Sequence, residues 1–118
     1  MEGDKAALRD GSVFEYCKLN DMVIQAWSVL QFGYFKGNFV GKEQFQDLNE
    51  VLNRLALKYG VSPSAIAIAW VLRYPAKMQA VVGTTNPKHL IEASQASNFS
   101  LTRKEWYEIY LAAGNDLP

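Results

Sequence analysis

The stretch LALKYGVSPSAIAIAWVLRYP, Leu55 to Pro75, sets the architecture. Its first part closes a helix. Phe45, Leu48, Leu52, Leu55 and Tyr59 recur at three- and four-residue spacing and make one apolar stripe over residues 42–59. Gly60 is the residue type that ends a helix, because it enters the left-handed conformation without a Cβ clash. Ser62-Pro63 then opens a second helix, with serine as N-cap and proline at the first helical position, where no N–H is needed. The body of that helix, AIAIAWVL, Ala65 to Leu72, is apolar on every side and therefore belongs in a core. Pro75 stops it.

A short β-branched or aromatic run flanks this helix pair on each side. MVIQAWS, Met22 to Ser28, and the segment Met78 to Val82 are the length of buried strands. Two strands separated by helices predict a parallel pair with a right-handed crossover. Such a two-stranded parallel sheet is poor as an independent fold, because parallel sheets need both faces and further strands covered. The chain therefore reads as a slice of something larger.

Outward from this unit, SVFE (Ser12–Glu15) has capping-box spacing and opens a short helix that ends near Leu19, before the turn-like Asn20-Asp21. QFGYFKGNFVG, residues 31–41, has three glycines and four aromatics and reads as a loop with sticky side chains. Asn86-Pro87 repeats the cap-plus-proline start and leads a helix through about Ala96. LTRKEW combines a second capping box, Thr102 with Glu105, and a hydrophobic staple, Leu101 with Trp106. The order is helix, strand, helix, helix, strand, helix, helix, in one domain spanning residues 1–118.

Composition narrows the function classes. Of 118 residues, 49% are apolar and 20% charged, and the formal net charge is zero. This is a globular composition with no basic excess to hold a phosphate backbone, so no nucleic-acid partner is expected. The longest apolar run, Ala65 to Leu72, is too short to span a bilayer, so no membrane partner is expected. Cys17 is the single cysteine, which excludes an internal disulfide; with Phe14 one turn away, it reads as a buried inert thiol. The polar start MEGDKAALRDG resembles no signal peptide, and cytoplasm is the simplest address. No metal-ligand cluster is evident.

The chemistry-bearing stretch is VVGTTNPKHL, Val81 to Leu90. In α/β proteins, ligands sit at the C-terminal ends of strands, and Gly83–Asn86 lies there and also at a helix N-terminus. Free N–H groups and the positive dipole end favour an anion, commonly a phosphate. Gly83 permits close backbone approach, and the Thr84 and Thr85 hydroxyls can donate. Lys88 and His89 occupy the first turn, where an acidic residue would suit the dipole, which makes sense if an external anion sits there. The same residues also make an ordinary turn and N-cap, and on the bare residues this plainer reading is favoured.

Three stretches in this order and spacing carry a resemblance: AWSVL (Ala26–Leu30), Leu55–Pro75, and VVGTTNPKHLIEA (Val81–Ala93). Together they resemble the C-terminal part of the aldo-keto reductase family, barrel enzymes that reduce carbonyls with NADPH. The fold so implied is α/β, the C-terminal segment of a TIM (β/α)8 barrel, with two parallel strands and four or five helices. By resemblance, Trp27 matches the aromatic residue that stacks on the nicotinamide ring. Ser28 and Leu30 match the loop over the cofactor pyrophosphate. Gly83, Thr84, Thr85 and Asn86 match the loop around the adenosine phosphate. His89 falls where many members place an arginine against the 2′-phosphate, and Glu92 where a glutamate meets the adenine.

Two departures stand out: Val29 replaces a usual proline, and Ala93 a common asparagine. His89 is a weaker, protonation-dependent partner than arginine, which leaves NADPH over NADH open. The family's catalytic tyrosine, lysine, aspartate and histidine come from the first half of the barrel, and nothing here matches their motifs. Hydride transfer to a carbonyl needs a proton donor at the developing alkoxide, so this chain alone is expected not to be catalytically competent. A small carbonyl substrate is expected only in a complete barrel. Exposed strand edges also invite self-association.

Two alternatives compete. Leu55–Tyr74 also reads as a helix-turn-helix, but its second helix offers no base-reading side chain before Arg73. A non-catalytic interaction module would use Phe32, Tyr34, Phe35 and Phe39 as a surface patch.

Overall fold

The structure, a computed structural model, describes residues 11–32 and 36–117. In chain order the elements are α1 (Ser12–Leu19), β1 (Ile24–Trp27), α2 (Gln46–Tyr59), α3 (Pro63–Leu72), β2 (Met78–Val81), α4 (Pro87–Ser94) and α5 (Arg103–Ala112). Short 3₁₀ turns precede α2 at Glu43–Phe45 and follow α4 at Gln95–Ser97. The α/β expectation of two parallel strands and five helices holds. The strands pair in parallel, Ile24 beside Met78 and Trp27 beside Val81.

Helix α3 lies at the centre, as its all-round apolar body requires. Ala65, Ile66, Ala67, Ile68 and Ala69 are all buried, packed between α2, α4 and β2. This overturns the helix-turn-helix alternative, since a buried helix cannot enter a groove. The α2 stripe also holds: Leu48, Leu52 and Leu55 are buried, with Phe45 and Tyr59 half-buried at its ends. Gly60 closes α2 in the left-handed conformation at φ 66°. Ser62 caps α3 by accepting from the Ala65 N–H at 3.1 Å. Ser62→Ala is expected to lower unfolding free energy by about 1 kcal/mol, the usual value of such a cap, in urea titration.

Helix α5 begins with a complete capping box. The Glu105 N–H donates to Thr102 Oγ1 at 3.2 Å and the Thr102 N–H donates to Glu105 Oε2 at 2.7 Å. Two indoles then bind α3 to α5. Trp70 Nε1 donates to the Trp106 carbonyl and Trp106 Nε1 to the Trp70 carbonyl, both at 3.0 Å, with the rings stacked at 4.7 Å.

Four expectations need correction. At α1, Gly11 in the left-handed conformation is the N-cap and no side chain caps the helix, so the Ser12/Glu15 box does not form. Ser12 is already helical, and Glu15 instead pairs with Lys18 at 3.3 Å. The strands are not buried: their residues alternate between half-buried and exposed, because no further strand covers them among the described residues. Cys17 is half-buried rather than buried. Finally, Phe32 and Phe39 do not form a surface patch. Both pack edge-on against Phe45, at 5.0 and 6.3 Å, while Tyr34 and Phe35 lie outside the described residues.

The loop that carries these aromatics is fastened by Asn49, a buried polar residue of α2. Its Nδ2 donates to the carbonyls of Phe39, Lys42 and Phe45, and its Oδ1 accepts from the Gly41 N–H at 2.7 Å. Satisfying four loop groups with one amide holds the segment after β1 against the core.

Candidate functional site

Strand pairing brings two distant loops together. β1 ends at Trp27 and β2 at Val81, side by side, so the segments Ser28–Gln31 and Val82–Asn86 leave the sheet at the same end. Between them lies a cleft of about 450 Å³, within the range of small-molecule sites. Seven of the nine residues expected from sequence line it: Trp27, Ser28, Leu30, Gly83, Thr84, His89 and Glu92.

Trp27 is 70% exposed, so it is not a core aromatic. An indole at a strand end with its surface open to a cleft is available for stacking. Ser28 follows at φ 57°, a left-handed conformation that non-glycine residues adopt uncommonly. Its carbonyl accepts from the Gln31 N–H at 2.9 Å, closing a tight turn through Val29 and Leu30. The Leu30 carbonyl in turn accepts from the Phe39 N–H at 3.1 Å, which ties the turn to the loop that Asn49 fastens.

Across the cleft, Gly83 has neither a left-handed φ nor a neighbour: a Cβ built there would meet nothing within 4 Å. Glycine is therefore not demanded by this chain's own packing. The open space beside it is available to a ligand backbone or phosphate.

The helix start is more self-contained than its sequence suggests. Asn86 is the N-cap of α4, and its Oδ1 accepts from the Lys88 N–H at 3.0 Å. Its own N–H donates to Thr84 Oγ1 at 3.1 Å, leaving the threonine hydroxyl hydrogen to donate outward. Pro87 has no N–H. Thus Asn86 and Thr85 are not among the residues lining the cleft; Asn86 shapes the turn, and Thr85 is exposed. Lys88 meets Glu92 one turn on, at 3.9 Å, so part of its charge is matched within the helix.

Sequence reasoning missed three polar lining residues, Gln31, Asn38 and Ser64. Asn38 Oδ1 accepts from the Val40 N–H at 2.8 Å, which turns its amide nitrogen into a remaining donor. Ser64 sits in the first turn of α3, so a second helix N-terminus borders the same cleft. Among the described residues, no cluster of His, Cys, Asp and Glu could hold a metal ion. Among the same described residues, no single helix is long and apolar enough to cross a membrane.

The family profile described as Aldo/keto reductase family matches residues 7–112. The chain belongs to the aldo/keto reductase family. It is 37% identical over 94 residues to the 6-dehydroglucose reductase of Agrobacterium fabrum, an alignment covering 78% of this chain and 30% of that protein. It is 30% identical over 95 residues to the oxidoreductase YdhF of Escherichia coli, covering 79% and 30% respectively. Among solved structures it is similar to the thermostable aldo-keto reductase Tm1743, with a TM-score of 0.63, 24% identity, and 90% of this chain against 34% of that one. The aldo-keto reductase MGS-M4, from a deep-sea metagenome, gives a TM-score of 0.58 at 20% identity, over 92% and 36% of the two chains. These likenesses show the fold, the C-terminal segment of an aldo-keto reductase TIM barrel. The chain spans about a third of the length of these relatives, as the 30% and 34% coverages state.

Proposed function

We propose that this chain forms the cofactor-binding part of an NADPH-dependent aldo-keto reductase-like oxidoreductase that interconverts carbonyls and alcohols. The observation that carries the reading is that Trp27, Ser28, Leu30, Gly83, Thr84, His89 and Glu92, from stretches more than fifty residues apart, line one cleft at the C-terminal ends of paired parallel strands. Two of its relatives are named as a 6-dehydroglucose reductase and an aryl-alcohol dehydrogenase, activities of this class of interconversion.

The residues present suit the cofactor's parts. Trp27 offers an indole face to the nicotinamide ring. The Ser28–Leu30 turn covers the pyrophosphate, and the open space at Gly83 with the Thr84 hydroxyl takes the adenosine phosphate. His89, exposed in the first turn of α4, meets the 2′-phosphate, and Glu92 accepts from the adenine. Asn86 acts indirectly, by capping α4 and holding Thr84. Bound there, the cofactor supplies hydride, and the proton donor at the carbonyl lies outside this chain's candidate residues.

The test is a titration of the full chain with NADPH, following indole emission. Saturable quenching is expected, lost in Thr84→Glu, where a carboxylate replaces the hydroxyl beside the phosphate, and largely abolished in signal by Trp27→Phe. Absence of any saturable change up to millimolar NADPH would refute cofactor binding by this chain.

A further inference from the structure

A second cleft lies at the other end of β2, where Pro75 precedes the strand, as Gly83 follows it. It measures about 330 Å³ and is lined by Arg73, Tyr74, Pro75, Arg103, Trp106 and Tyr107. Two guanidinium groups and three aromatic rings border one space, and none of the six residues is acidic. Among the described residues, neither arginine has an ion-pair partner, which is also true of Lys36, Lys42 and Lys104, so both guanidinium groups are open to an external anion.

Arg73 is positioned by its Nε, which donates to the Leu101 carbonyl at 3.0 Å. That bond leaves the terminal nitrogens of a rigid fork to meet an oxyanion. Arg103 lies 5.8 Å over the Tyr107 ring and is the first residue of α5. Lys104 follows it, so two cations occupy the first turn, where the helix dipole disfavours positive charge. The one first-turn carboxylate, Glu105, is buried and engaged by Lys58, Tyr59 and Thr102. An anion between the arginines would relieve this imbalance.

We propose that this cleft binds a small aromatic phosphate, of which a mononucleotide is the simplest class: the phosphate between Arg73 and Arg103, the planar ring against Tyr74 or Tyr107. Charge-assisted, forked hydrogen bonds suit a phosphate, and aromatic faces suit a flat base. The volume suits a ligand of that size and not an extended polymer. This inference does not rest on the cofactor reading, because the cleft shares no residue with the one at Gly83.

The test is an NMR titration of the full-length isotope-labelled chain with AMP, adenosine and inorganic phosphate. It is run in the Thr84→Glu background, so that the cleft at Gly83 does not contribute. Saturable AMP shifts are expected at the Arg73 and Arg103 side chains and at Tyr107. Adenosine, which lacks the phosphate's charge-assisted bonds, inorganic phosphate, which lacks the ring contact, and AMP with Arg103→Gln, which loses one guanidinium, should each bind at least about tenfold more weakly. Among the described residues the Arg103 side chain makes no hydrogen bond, so Arg103→Gln should leave the Trp70 and Trp106 indole resonances in place. The proposal is overturned by no saturable AMP shift at millimolar concentration, by shifts confined to residues 83–92, or by equal AMP affinity in Arg103→Gln.

Discussion

Glu105→Ala is expected to lower the unfolding free energy by about 3 kcal/mol at neutral pH, from loss of the α5 cap and of a buried carboxylate's hydrogen bonds. Glu105 is 6% exposed, the one buried acid among the described residues. Lys58 Nζ donates to it at 2.5 Å, the Tyr59 hydroxyl at 2.8 Å and the Thr102 N–H at 2.7 Å. One carboxylate therefore joins the end of α2 to the start of α5. Burial pushes its pKa up, but these hydrogen bonds outweigh burial and hold it down at about 2. The same contact raises Lys58, chiefly through its hydrogen bond to Glu105, and Tyr59 rises chiefly through burial.

The sign of the pH dependence follows. A carboxyl whose folded pKa is depressed binds its proton more readily when unfolded, so it stabilises the fold at pH above its ordinary value of 4.5. That contribution is lost as pH falls from 4.5 toward about 2, and amounts to about 3 kcal/mol if fully realised. Glu105→Gln keeps the shape and can still accept from Thr102, so its loss at neutral pH should be smaller. Its distinguishing property is a stability that no longer falls over this acid window. Urea midpoints at pH 7, 5 and 3 for the three proteins decide it; parallel acid losses in Glu105→Gln and the parent chain would sink the argument.

The two capping boxes show what local sequence carries and what it does not. Ser12-x-x-Glu15 and Thr102-x-x-Glu105 have the same spacing, yet only the second forms. Leu101, 2% exposed, anchors the chain just before Thr102, and Glu105 has Lys58 and Tyr59 to meet it. Helix α1 buries no residue, so nothing selects the box over a start at Gly11. Helix α3 was legible because an all-round apolar segment has one stable location, whatever its neighbours. Strand burial was not, because a β-branched run shows that a face can be covered and not that its cover belongs to this chain. At the site, resemblance brought Trp27 and Glu92 into one list, but only pairing of β1 with β2 puts them beside one cleft. Asn38 and Ser64 escaped notice because a loop asparagine and a first-turn serine already have sufficient local reasons to be there.

Leu55 and Leu57 give the second large effect, and the cleaner one, since they are the same residue type two positions apart on α2. Leu55 is 0% exposed and Leu57 87%. Either change to alanine alters helix propensity by a similar small amount, so the difference between them isolates burial. Leu55→Ala removes side-chain contacts at the centre of the α2–α3 core and leaves a cavity that packed helices cannot fully close. The expected loss is about 2–5 kcal/mol, while Leu57→Ala should stay within about 0.5 kcal/mol. Against a typical domain stability of about 5–15 kcal/mol, the first change brings the fold near its limit. Thermal and urea unfolding of both variants at two protein concentrations would decide it. Equal small losses would mean that α2 is not seated through Leu55. A large loss at Leu57 that grows on dilution would mean that a second copy covers that face, placing the expected self-association on α2 and not on the open edges of the strands.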